Sequence, residues 1–180
     1  MAPSLYIERA LFVVGDQNTG KSTQIRSMFL DRRLGMNGNI PDAKRIAETY
    51  VLSHERSLYV RITSPNEWGE TLEQFLDKVA SKTGSGRWCV VSPLQPLPEK
   101  KMPGLVDTIK GFIDRFSPER IRVCFLSPDY SGNLLSGRSD LNINAIIDDL
   151  WRIQKVECVF IDARSRTQNG LILTDFLDFA

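Results

Sequence analysis

Apolar positions along the chain alternate between short continuous runs and stripes at helical spacing. Leu11-Phe12-Val13-Val14 is a continuous run of the kind that forms a strand buried on both faces. Runs of the same kind predict strands at residues 88–91, 123–126 and 158–161. Between them, apolar residues recur every three or four positions, which predicts amphipathic helices. The stripes are Ile25, Met28 and Phe29; Trp68, Leu72, Phe75, Leu76 and Val79; Leu105, Val106, Ile109, Phe112, Ile113 and Phe116; and Ile143, Ile146, Ile147, Leu150 and Trp151. A short helix is predicted over 171–179. Residues 49–52 and 58–62 read as two strands joined by polar Ser53-His54-Glu55-Arg56-Ser57, a hairpin. Ser64-Pro65-Asn66-Glu67 has the form of a capping box with proline at the first helical position.

Buried strands alternating with helices predict an α/β fold. Its three layers would be a mainly parallel sheet with helices on both faces, with an antiparallel hairpin strand at one edge. No internal repeat or low-complexity linker interrupts the 180 residues, so 1–180 reads as a single domain. Lys and Arg total 23 against 22 Asp and Glu, a net charge of +1, which gives no strong nucleic-acid signal. No apolar run approaches the roughly 18 residues needed to cross a bilayer. The N-terminus lacks the basic start and apolar centre of a signal peptide. A cytoplasmic location without a membrane partner is the expectation. Cys89, Cys124 and Cys158 each sit in an apolar run without C-x-x-C spacing, and so read as buried thiols.

The chemistry concentrates where the first apolar run ends. Gly15-Asp16-Gln17-Asn18-Thr19-Gly20-Lys21-Ser22 fits G-x-x-x-x-G-K-[ST] between a strand and a helix. Gly15 and Gly20 let the backbone curl so that successive N–H groups form an anion nest, and the helix adds its partial positive end. Lys21 has the reach and charge to meet β- and γ-phosphate oxygens. Ser22 offers a hydroxyl to Mg²⁺, and Thr23 one to an α-phosphate. On these residues the chain resembles the P-loop NTPases. The resemblance implies the P-loop fold, with ATP or GTP bound together with Mg²⁺ by residues Gly15 to Thr23.

Within that superfamily, Gly15, Asn18 and Gly20 to Thr23 resemble the first motif of bacterial-type GTPases, and the loop, hairpin, turn and helix follow in a similar order. This likeness implies a switch segment at residues 34–44. The turn Thr63-Ser64-Pro65-Asn66 stands where those GTPases carry Asp-x-x-Gly and has neither hallmark. Ser127-Pro128-Asp129-Tyr130 replaces Asn-Lys-x-Asp, with Asp129 one residue early, and residues 162–167 are similar to the last base-contact loop. The base is thus left open between ATP and GTP.

For the metal, Cys158-Val159-Phe160-Ile161-Asp162 has the four apolar residues and Asp of a Walker B site, so Asp162 joins Ser22 as the expected metal pair. Glu67 and Ser92 compete, although the capping box already accounts for Glu67. Arg138, in the Gly/Ser-rich segment 127–140, is a candidate lid arginine that would assist Lys21 by stabilising transferred charge. His54, Arg32-Arg33 and Lys100-Lys101 read as solvated, and Trp68 and Trp151 as core. The expectation is a Mg-dependent nucleoside-triphosphate-binding hydrolase, acting as a switch on a protein partner through segments 34–44 and 127–140. A phosphotransferase with a small hydroxyl acceptor and a degenerate, non-hydrolysing scaffold are the alternatives.

Overall fold

The computed structural model describes residues 5–177. Six strands, β1 (Leu5–Val14), β2 (Thr49–Val51), β3 (Arg56–Val60), β4 (Gly86–Leu94), β5 (Arg120–Leu126) and β6 (Val156–Ile161), form one sheet in the order β2-β3-β4-β1-β5-β6. All neighbours are parallel except the β2–β3 hairpin at one edge, where Thr49 faces Tyr59 and Val51 faces Ser57. The helices are α1 (Lys21–Ser27), α2 (Pro65–Trp68), α3 (Leu72–Lys82), α4 (Leu105–Phe116), α5 (Ile143–Trp151) and α6 (Arg166–Asp175). None of them is long and apolar enough to cross a membrane.

Period-two alternation in the strands divides the core between the two faces. Ala10, Phe12 and Val14 of β1, Val90 of β4, and Val123 and Phe125 of β5 pack with α3, α4 and α5. Leu11, Val13, Val91, Cys124 and Leu126 point the other way and pack with α1 and α6. Phe112 of α4 anchors the first face, its ring edge-on to Phe12 with centroids 5.2 Å apart. Helices therefore cover both faces, as the alternation predicts. All three cysteines are free. Cys89 and Cys124 are buried, and desolvation pushes both thiols up to about 12. Cys158 is half-buried and is pushed up to about 11 for the same reason.

Several local expectations are corrected. The stripe from Trp68 to Val79 is two helices, because Gly69 adopts φ +67° and ends α2. The change of phase leaves Trp68 69% exposed rather than in the core. Ser64 precedes Pro65 as expected, but its hydroxyl donates to Asn66 Oδ1 and forms no capping box with Glu67. That motif belongs to α3, where Thr71 Oγ1 accepts from the Gln74 N–H and Gln74 Oε1 from the Thr71 N–H. Trp151 is 64% exposed, because α5 buries Ile143, Ile147 and Leu150, and the next residue turns outward. After Ser27 the first helix tightens into a 3-10 turn carrying Met28 and Phe29. The last helix begins at Arg166, five residues earlier than predicted, and the end of the predicted 171–179 helix lies outside the described residues.

The second face positions the candidate site through one close approach. A Cβ on Gly170 of α6 would lie 2.1 Å from the backbone carbonyl oxygen of Ser27, the last residue of α1. Gly170→Ala is expected to lower the unfolding free energy by about 1–3 kcal/mol, despite alanine's better helix propensity. Gly111→Ala on α4 meets the movable Leu72 side chain instead. It should stay within about 1 kcal/mol of wild type, since improved propensity offsets a small rearrangement. Denaturant midpoints of the two variants check the contrast.

Candidate functional site

β1 lies between β4 and β5, so the chain leaves β4, passes over β1 and returns on its other side. In an open parallel sheet such a reversal leaves a crevice at the carboxyl ends of the strands. The Gly15–Gly20 loop fills that place. Its Gly15 N–H donates to the Leu94 carbonyl at the end of β4 (3.3 Å). Tyr130, on the far side, donates its N–H to the Thr19 carbonyl (3.2 Å). Asn18 at φ +62° and Gly20 at φ +99° turn the backbone back on itself, a conformation that glycine adopts without a Cβ penalty. The Thr19 hydroxyl locks the turn by donating to the Asp16 carbonyl (2.8 Å).

Lys21 sits at the centre. It is 4% exposed, and its ammonium donates to the Gly15 carbonyl (2.9 Å) and to the Asp16 carbonyl. An ammonium has three N–H donors, so one remains after these two bonds. Burial lowers the Lys21 pKa, against the opposing pull of Glu67, Asp16 and Glu99. A buried cation whose nearest partners are neutral carbonyls gains directly from an anion placed beside it.

Two cavities flank the loop. One, of about 390 Å³, is lined by Asn18, Gly20, Lys21, Ser22, Arg26 and Glu67, with Ala43 and Thr63 closing it from the hairpin side. The other, of about 450 Å³, lies between Asp16, Gln17 and Thr19 and the 129–138 segment. Thr23, half-buried on α1, lines neither of these cavities.

Arg138 is brought to the loop, and aspartates already engage it. Its guanidinium pairs with Asp16 and forks onto Asp140, with Nε 2.9 Å from Oδ1. Hydrogen bonding to Asp140 first and Asp16 second raises its pKa. Asp129 also borders the second cavity, but its carboxylate builds its own loop. It accepts from the Ser131 N–H (2.8 Å), the Asn133 N–H (2.9 Å) and the Asn133 side chain (3.2 Å).

Asp162 lines neither cavity. It follows β6, two strands from β1, and Arg164 takes up its carboxylate, with Nη2 2.7 Å from Oδ2. The hydrogen bond from Arg164 holds its pKa at about 2. Ser92 is fully buried, and its hydroxyl donates to the Pro93 carbonyl (3.3 Å). Glu67 is the acid that shares a cavity with Ser22 and Lys21. A hydroxyl and a carboxylate in one polar cavity suit Mg²⁺, which takes few protein oxygens and completes its shell with phosphate and water. No group of three His, Cys, Asp or Glu able to hold a metal occurs among the described residues.

Sequence reasoning missed Arg26 and Ala43. Arg26 lies four residues after Ser22, so helical periodicity places both on one side of α1. Ala43 belongs to segment 34–44, which has no periodic signal. Neither a protein-family model, nor a curated protein, nor a solved structure matches the chain.

The lowered Lys21 pKa has two consequences of opposite sign. An anion placed beside Lys21 gains from the ammonium charge, so affinity for an anion there should fall as pH rises through a value below the usual lysine 10.5. In the unliganded protein the unfolded chain keeps its proton longer, so between the folded pKa and 10.5 the Lys21 contribution to stability should increase with pH. Parallel binding and denaturation series, with Lys21→Met as the reference, check both slopes.

Proposed function

We propose that the chain binds a nucleoside triphosphate with Mg²⁺ on the glycine loop and hydrolyses it, and that the nucleotide state is read out through residues 34–44. The observation that carries this reading is the buried Lys21 ammonium, held by its own loop with one donor left, beside the cavity it shares with Ser22. The nucleoside belongs in the 450 Å³ cavity on the 129–138 side, and the terminal phosphate in the 390 Å³ cavity. Ser22 and Glu67 are the residues that would hold the metal, whose charge stabilises the oxygens of a transferring phosphoryl group. Ala43 lines the terminal-phosphate cavity, so occupancy there bears directly on the 34–44 segment and through it on a protein partner.

One observation favours a second reading. A cavity of about 220 Å³ shares Ala43, Ile62 and Thr63 with the terminal-phosphate cavity and extends to Trp68 and Lys78. A small hydroxyl compound held there would make the site a phosphotransferase. Phosphate release without an added acceptor supports hydrolysis, and turnover only with an acceptor mixture supports transfer.

Lys21→Ala should lower affinity for Mg-ATP and Mg-GTP by about 10- to 100-fold, the value of a charge-assisted hydrogen bond, with little change in melting. Normal binding of both nucleotides by this variant overturns the assignment. Glu67→Gln should raise the magnesium concentration needed for half-maximal binding severalfold, while Asp162→Asn leaves it at the wild-type value. Titrations with and without Mg²⁺ measure both.

A further inference from the structure

Arg26 is the cation of the site without a partner. It extends from the second turn of α1 into the lining of the 390 Å³ cavity. Among the described residues its guanidinium makes no hydrogen bond or ion pair, and its Nε is buried with nothing to donate to. Nearly every other arginine near the loop and sheet ends has a carboxylate: Arg138 has Asp16 and Asp140, Arg164 has Asp162, and Arg61 has Glu70. Glu67 is the one carboxylate lining the cavity with Arg26, and the two form no ion pair. The lining therefore holds two cations, Lys21 and Arg26, against one acid. Buried polar donors are almost always satisfied, so a guanidinium left open toward a polar cavity is matched to a ligand that brings acceptors.

We infer that Arg26 reads the third phosphate and makes the site selective for nucleoside triphosphates over diphosphates. This rests on the nucleotide reading above and deepens it. Lys21 lies at the loop, where it meets whichever phosphate occupies the nest. Ser22 and Arg26 stand four residues apart on α1, so Arg26 lies about one turn, roughly 6 Å, further along the helix, and both line the same cavity. A third phosphate that enters this cavity beyond the one at Lys21 and Ser22 comes within reach of Arg26. The planar fork of a guanidinium suits two oxygens of a terminal phosphoryl group. Arg138, expected from the sequence as a lid arginine that stabilises transferred charge, is engaged by two aspartates on the nucleoside side. It positions the loop through Asp16 instead.

Calorimetric titration with Mg²⁺ and non-hydrolysable ATP and GTP analogues, ADP and GDP separates these roles. Wild type should bind the preferred triphosphate at least tenfold more tightly than its diphosphate. Arg26→Gln should weaken triphosphate binding about 10- to 100-fold and change diphosphate binding by less than about twofold. Arg26→Lys, which keeps the charge without the fork, should fall between them, and Arg138→Gln should leave the triphosphate-to-diphosphate ratio unchanged. Melting curves confirm that each variant is folded. An unchanged ratio in Arg26→Gln, an equal loss for both ligands, or loss of selectivity in Arg138→Gln alone overturns the inference while leaving nucleotide binding intact. Failure of wild type to bind any of the four overturns the nucleotide reading itself, and the role of Arg26 with it.

Discussion

A protonated amine withdrawn from water and bonded to the carbonyls of its own turn is the constraint around which the rest is arranged. The Lys21 ammonium bonds back to the Gly15 and Asp16 carbonyls, and the surrounding elements hold the curl of the loop in place. β4 holds one end through Leu94, and the 129–134 segment holds the other through Tyr130. From beneath, Gln24 of α1 donates to the Ala163 carbonyl (2.6 Å) and accepts from Asn169 of α6 (2.9 Å). The close packing of Gly170 on Ser27 completes this support. A buried charge with incomplete neutralisation is unfavourable in an isolated fold, and its retention fits a ligand of opposite charge.

The two sides of the loop differ in how they are fastened. On the β5–β6 side, Ser127 bonds to Ile161 and Ala163 to Pro128, so the connections after both strands form one unit with the glycine loop. On the other side, the backbone bonds of the 35–46 segment among the described residues are local, such as Gly35 to Arg32, Asn39 to Met36 and Arg45 to Asp42. A segment held by short-range bonds opens at lower free energy than one tied across the sheet. It is this loosely tied side that carries Ala43 to the cavity with Ser22 and Arg26. The firmly fastened side is thus suited to rigid recognition and the loosely tied side to a change of shape.

The sheet was legible because burial on two faces leaves continuous apolar runs, and β1, β4, β5 and β6 all carry one. The hairpin was legible from its polar link. The glycine loop was legible because its backbone demands and its chemistry fall on eight adjacent residues. Less could be read where the outcome depends on packing between distant segments. Trp68 and Trp151 fit their stripes, yet a left-handed Gly69 and a one-residue offset in α5 turn them outward. Asp162 fits a local pattern, but the strand order sets it two strands from β1. Glu67 gained importance once the structure moved the capping box to Thr71 and Gln74, leaving its carboxylate beside Ser22. Arg26 became visible through the absence of a partner, which no sequence pattern records.

Whether an anion is held by the backbone of residues 15–22 beside the Lys21 ammonium is read directly by amide NMR of the isotopically labelled protein during addition of a Mg-bound, non-hydrolysable triphosphate. The amide resonances of Asn18 to Ser22 should move furthest and saturate together, with smaller changes at Ala43 and Tyr130. Saturable shifts confined to other parts of the sheet, with the 15–22 amides unmoved, would contradict it.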